Sequence, residues 1–179
     1  MVTEFIDAYS DDQIYLQVLE ELVNAHPVEG GAPNSIKYSS FCRLWAVMMV
    51  GGVECMIKEW AKGNSTLFDI YAYFDEGSNS GRIEKLKNAF KLRGLDVDVD
   101  LFEDFLAVKY IRNAYVHGEW NKTQNAFAVQ RGFPSTVMNF DQSHFERMKK
   151  SYDHVMSRLG LAKAIATYLE TRFVNSNGE

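Results

Sequence analysis

Cysteine is scarce. Cys42 and Cys55 are the two in 179 residues, which excludes a disulfide scaffold. In one continuous helix, residues thirteen apart stand about 20 Å from each other, beyond the reach of a disulfide. Both thiols are therefore expected as core residues of a reduced, cytoplasmic protein. No CxxC, no His/Cys cluster and no HExxH occurs, so no metal ligand set and no cofactor are expected. The longest strongly apolar stretch without a charge, Leu44 to Val53, has ten residues, against about 20 needed to cross a bilayer. Membrane association is therefore not expected. The first residues, Met1 to Asp12, are acidic and do not read as a signal peptide. Positive charge is also in short supply: 19 Lys and Arg face 24 Asp and Glu, for a net charge of −5. That balance argues against broad, non-specific nucleic-acid binding, so any RNA contact must be confined to a local basic cleft. Neither an internal repeat nor a linker divides the chain, and residues 1–179 are expected to form a single domain.

What is present points to helices. Hydrophobic residues make up 46% of the chain and aromatics 13%, enough for a packed core. Phe5, Ile6, Tyr9, Leu16, Leu19, Leu22 and Val23 recur at helical spacing and predict a first helix from Thr3 to Ala25. Ser10-Asp11-Asp12 could break or recap it. His26 to Ser35, with two of the three prolines, reads as a loop. Lys37 to Ala61 predicts a buried central helix. Each of Gly51 and Gly52 within it costs about 1 kcal/mol against Ala, which close approach of a neighbouring helix would compensate. Arg43, Glu54 and Glu59 are charged positions along it. Glu54 is either a buried partner for Arg112 or an exposed residue near the helix end.

A short helix is expected over Ser65 to Phe74 and a polar loop over Asp75 to Gly81. An amphipathic helix then runs from Arg82 to Leu92, with Ile83, Leu86, Ala89 and Phe90 inward. The acids Asp96, Asp98, Asp100, Glu103 and Asp104 read as capping chemistry for the next helix. After Trp120, the runs Ala126 to Gln130 and Ser135 to Asn139 around Arg131-Gly-Phe-Pro134 predict a short β-hairpin or an ordered loop. Phe140, Asp141 and Phe145 spell a hydrophobic staple around an N-cap. The last helix runs from Gln142 to about Phe173, with a bend or break at Gly160. Arg147, Lys149 and Lys150 give it a basic face, and His144 and His154 are expected at the surface. The fold class is all-α, a helical bundle of about five main helices with the short hairpin before the last one.

The stretch Arg112-Asn113-Ala114-Tyr115-Val116-His117-Gly118 interrupts this regularity. Phe102, Leu106, Tyr110, Asn113 and His117 follow one another at spacings of three and four, so they share a helix face. That face begins apolar and ends in an amide and an imidazole. Arg112 extends a second row, Leu101, Phe105 and Val108. At about 100° per residue, Arg112 and His117 differ by roughly 140° around the axis, so one helix does not aim both at a single small target. Gly118 suits the left-handed position after a helix end. The bland alternative is that Arg112 and His117 cap the helix end and pair with carboxylates such as Glu119.

The order Arg, polar residue, three residues, His, late in an amphipathic helix, resembles the motif of the HEPN superfamily, the helical ribonuclease and nucleotide-binding domains of prokaryotic toxin and defence systems. Arg112, Asn113 and His117 match it, and Gly118 after the His is also common there. The resemblance implies a helical domain that dimerises so that two motif helices face one cleft, and metal-independent cleavage of RNA by attack of the ribose 2′-OH. Under that reading His117 is the proton carrier, suited by the unperturbed imidazole pKa of about 6.5. Arg112 holds phosphate oxygens with its fork, and Asn113 orients His117 or binds the phosphate. The chain departs from the toxin subclass that carries a modifiable Tyr two residues after the His, because that position is Glu119. The rival readings are a non-catalytic module that holds a nucleotide or protein through Arg112 and His117, and a structural partner subunit such as an antitoxin or part of a phage-defence complex.

Overall fold

The computed structural model describes residues 9–26, 32–63, 70, 78–118, 120–136 and 139–176. Six helices form among them and no strand does, so the all-α expectation holds. They are α1 (Tyr9–Ala25), α2 (Ala32–Gly63), α3 (Asn79–Lys91), α4 (Val99–His117), α5 (Lys122–Gln130) and α6 (Gln142–Ser176). Ser10-Asp11-Asp12 lies within α1 and does not break it. The start expected for that helix at Thr3, most of the short helix expected over Ser65 to Phe74, and Glu119 lie outside the described residues. Ile70 alone of that short segment is described, as helical and buried.

Helix starts follow local polar chemistry. Ser78 Oγ accepts from Gly81 N at the head of α3, Asp98 Oδ1 from Leu101 N at the head of α4, and Asn121 Oδ1 from Thr123 N at the head of α5. Asp141 Oδ1 accepts from His144 N and from Ser143 Oγ at the head of α6, while Phe140 and Phe145 on either side are buried. The staple and the capping role of the acidic stretch, at Asp98, are thus present. Each side-chain acceptor satisfies an orphan N–H of the first turn, worth about 1 kcal/mol.

The chain divides into two compact units. One comprises Met1–Gly52 and Leu106–Lys149, the other Val53–Phe105 and Lys150–Glu179. Helices α2, α4 and α6 each contribute residues to both. In the first unit Trp45 of α2 meets Phe145 of α6 edge to face at 5.3 Å, and Tyr110 of α4 meets Phe127 of α5 at 5.9 Å. Phe140 N donates to Ser39 Oγ at 3.0 Å, which ties α2 to the start of α6. In the second unit Phe102 stands between Phe90, at 5.6 Å, and His154, at 5.4 Å. The inward row expected of α3, Ile83, Leu86, Ala89 and Phe90, is buried.

The first run of the expected hairpin, Ala126 to Gln130, is helical and belongs to α5. The Gly that reads as a hairpin turn is a helix stop. Gly132 sits at φ +84° and donates to Val129 O, while Phe133 N donates to Ala128 O and buries its ring. Those two bonds make a Schellman cap. Of the second run, Ser135, Thr136 and Asn139 are described and none is a strand residue.

Three further expectations are refined or corrected. Gly160 does not break α6, which runs unbroken from Gln142 to Ser176. The buried row Val155, Leu159, Ala162 and Ala166 carries the helix across it. His154 is half-buried rather than fully exposed. Its Nε2 accepts the Asp98 N–H at 3.2 Å, which requires a neutral ring nitrogen, and burial followed by the Arg158 charge holds its pKa below the ordinary histidine value, against Asp98. Finally, Cys42 is buried but Cys55 is exposed. On α2, Cys55 faces away from the buried positions Val53, Met56 and Ile57. Burial, then the Asp141 charge, pushes the Cys42 thiol up to about 12, so it is an inert core group.

By length and composition, Ile36–Trp60 of α2 would suffice to cross a membrane, the one such stretch among the described residues. Of it, 44% is buried inside the protein, including Trp45, Met49, Val50 and Ile57.

Candidate functional site at the end of α4

Helix α4 is a core rod whose last turn emerges. Phe102, Phe105, Leu106, Ala107, Val108, Tyr110 and Ile111 are all buried, around the whole circumference. Arg112 and Asn113 are half-buried, and Tyr115, Val116 and His117 are exposed. Gly118 then terminates the helix at φ +72°, its N–H donating to Ala114 O at 3.0 Å. That single bond is the left-handed cap expected of a C′ glycine, a conformation that costs other residues roughly 1 kcal/mol or more. The chain turns at Gly118 and is capped again by Asn121 to start α5.

All three sequence-predicted site residues therefore lie in the last turn and a half of one helix. Asn113 and His117, four apart, share a face, and the half-buried amide lies one turn below the exposed imidazole. Arg112 is not brought to that face. Its Nε is enclosed within the protein, and its Cα lies roughly 140° from His117 around the axis. Glu54, weighed as a partner for Arg112, is half-buried.

Two residues of this region carry no functional weight in the sequence reading. Arg43 of α2 places its guanidinium carbon 4.1 Å from the ring centroid of Tyr115. Tyr115 follows Arg112 by three positions and so lies about 60° from it on the helix. A side chain from α2 thus joins the Arg112 side of α4. Nothing in local sequence links position 43 to position 115. The available signal is that Arg43 is the charge immediately before the uncharged run of α2.

Two cations of α6 are engaged elsewhere. Lys149 pairs with Glu20 of α1, and the Arg147 guanidinium carbon stands 5.9 Å from the Phe133 ring centroid. Lys149 is therefore a structural residue, and the basic face expected of this helix is partly spent on packing. Among the described residues no group of three or more His, Cys, Asp or Glu could hold a metal ion.

What the turn can do chemically follows from its groups. An exposed imidazole can accept or donate a proton at a bound phosphodiester, the amide beneath it can hold either the ring or a phosphate oxygen, and the guanidinium can bind two oxygens at once. The chain matches no protein-family model, no curated protein and no solved structure.

Proposed function

We propose that this chain is a metal-independent endoribonuclease of the HEPN type, cytoplasmic and of the toxin or phage-defence kind, acting as a homodimer. The 2′-oxygen attacks the adjacent phosphorus, the bond to the 5′-oxygen breaks, and the products are a 2′,3′-cyclic phosphate and a 5′-hydroxyl. His117 carries the proton, Arg112 stabilises the charge gathering on the phosphoryl oxygens, and Asn113 orients one or the other. The observation that carries the reading is the exposure of His117 directly above Asn113, at the glycine-capped end of a helix that is otherwise core. A packing helix gains nothing from a polar row there. The angular separation of Arg112 and His117 supports a cleft that draws one residue from each copy.

The test is cleavage of a single-stranded RNA panel in EDTA, with the cyclic end identified by mass. His117→Ala is expected to lower the rate about 10²-fold or more. Arg112→Ala should cost a similar amount, on the order of 3–4 kcal/mol for a preorganised donor. Lys150→Ala, exposed on α6, should leave the chemical step unchanged. Light scattering reports the dimer. Mixing the two inactive variants then asks where each residue comes from. In a two-chain cleft, half of the reassociated dimers hold one intact site of two, so roughly a quarter of wild-type activity returns. A folded His117→Ala protein that cuts at the wild-type rate would defeat the assignment.

The second reading, a non-catalytic module that binds a nucleotide, RNA or a partner such as an antitoxin or defence protein, is favoured by the acidic net charge of −5 and by the engagement of Lys149 and Arg147 in packing. It would retain binding in every variant that keeps Arg112, with no cleavage by wild type.

A further inference from the structure

Arg43 is an odd residue for the place it occupies. It is half-buried on α2, its Nε is enclosed without a hydrogen-bond partner, and no carboxylate pairs with it among the described residues. Among the described residues its guanidinium lies over the Tyr115 ring, and that ring, not a carboxylate, is what meets this charge. The ring fixes its plane. A guanidinium stacked by one face keeps its edge donors preoriented, and of the Arg43 nitrogens Nε alone is both enclosed and without a hydrogen-bond partner. Such a fixed fork matches two oxygens of a phosphate better than a mobile ammonium does. Tyr115 itself is 40% exposed, and Arg112 lies one turn before it on the same side of α4.

We infer that Arg43, held by Tyr115, is a phosphate-binding residue on the Arg112 side of α4, and that its ligand is the phosphodiester backbone of RNA flanking the scissile bond. The identity of the ligand rests on the ribonuclease reading above; the phosphate site does not. Tyr115 acts as a positioning residue for Arg43, and Arg43 supplies affinity and register without taking part in proton transfer.

The experiment uses the full chain and a fluorescein-labelled 2′-O-methyl RNA dodecamer, which lacks the attacking hydroxyl and cannot be cut. Anisotropy should show Arg43→Ala binding about 10-fold more weakly, as expected for loss of one charge-assisted contact. Its salt slope should be shallower by about one phosphate contact. Arg43→Lys keeps the charge and the slope but lacks the fork, so its affinity should fall between the two. Tyr115→Leu should weaken binding while leaving the salt slope near wild type, a pattern that a merely structural role would not give. Melting curves of all variants verify folding. In a second arm, inorganic pyrophosphate is titrated while the Arg43 Nε–Hε resonance is followed by NMR. RNA binding with an unchanged affinity and slope in Arg43→Ala overturns the inference and leaves the ribonuclease reading standing. Pyrophosphate shifting Arg43 while RNA fails to bind keeps the phosphate site and overturns the ribonuclease reading. No response to either ligand overturns both.

Discussion

Two glycines in long helices offer a stability test whose magnitude can be worked from geometry. Gly51 lies within α2 and Gly160 within α6, and a Cβ built on either meets nothing within 4 Å. The Gly51-Gly52 pair was expected to admit a neighbouring helix; at Gly51, no such neighbour is found among the described residues. With neither clash nor contact to consider, only the backbone term remains. Ala is favoured over Gly in a helix interior by about 0.8–1.0 kcal/mol, chiefly because the unfolded chain loses freedom. For a chain of this size that corresponds to a rise of roughly 2–4 °C in Tm for each substitution. The two added methyls share no partner, so the double variant should gain the sum, about 2 kcal/mol. Far-UV circular dichroism melts of wild type, Gly51→Ala, Gly160→Ala and the double variant at one protein concentration make the measurement. A lower Tm for either single variant refutes the reasoning, because something must then occupy the space. At Gly51 the obvious occupant would be a second copy, and a Tm that rises with protein concentration in wild type but not in the variant would identify it.

His154 should make stability depend on pH in a defined direction. Its folded pKa lies below the ordinary 6.5, so between the two values the unfolded chain binds a proton that the folded chain does not, and stability falls as pH drops through that window. Urea unfolding between pH 7 and pH 5 should show this fall flattened in His154→Gln, which keeps an acceptor for the Asp98 N–H; parallel profiles would rule the mechanism out. Asp141 behaves in the carboxylate sense. Burial raises its pKa, but the bonds from Ser143 and His144 together with the His144 charge outweigh that and leave it lowered. The cap contribution is therefore complete above about pH 4 and lost as pH falls through the folded value. Asp141→Ala should cost about 1 kcal/mol at pH 7, with the difference from wild type shrinking in acid; a constant difference down to pH 2 would contradict the assignment.

The parts of the fold legible in sequence were those set by short-range periodicity and capping. The α3 face, the Asp141 cap between two buried phenylalanines, and the α4 row ending at a left-handed glycine all depend on residues within about a turn of each other. The failures share a cause too. Arg131-Gly-Phe-Pro134 contains turn residues that suit a hairpin or a helix stop equally, and Ala126 and Ala128 among β-prone neighbours were outweighed when they should have decided for helix. Gly160 reads as a breaker only if the buried row around it is ignored. His154, Cys55 and Lys149 could not be placed because burial and pairing come from distant elements: the Asp98 amide, the face of α2 left outside the core, and Glu20 of α1. The site shows the same division. Arg112, Asn113 and His117 are visible as one helix turn, while Arg43 belongs with them only through the fold.

The electrostatics of the molecule constrain how such a site could work. With a net charge of −5, the long-range field repels a polyanion, and association gains nothing from steering at moderate salt. Affinity must come from contacts made inside a Debye length of about 8–10 Å. In the first unit, Lys149 and Arg147 are already committed to Glu20 and to the Phe133 ring. The exposed lysines of α3, Lys85, Lys87 and Lys91, belong to the second unit, and Lys87 already stands 3.8 Å from Glu84. Arg112 and Arg43, both half-buried, lie on the side of α4 turned away from His117. Under the proposed function, RNA would bind only where its backbone geometry fits fixed guanidinium groups, and selectivity would arise from the same scarcity of positive charge that disfavours general binding. The proton carrier and the cations then meet at one phosphorus only if the RNA wraps the end of α4 or a second copy supplies the missing side. A homodimer satisfies that requirement with a preformed cleft, whereas wrapping would demand that the strand order itself around an exposed helix end at full entropic cost.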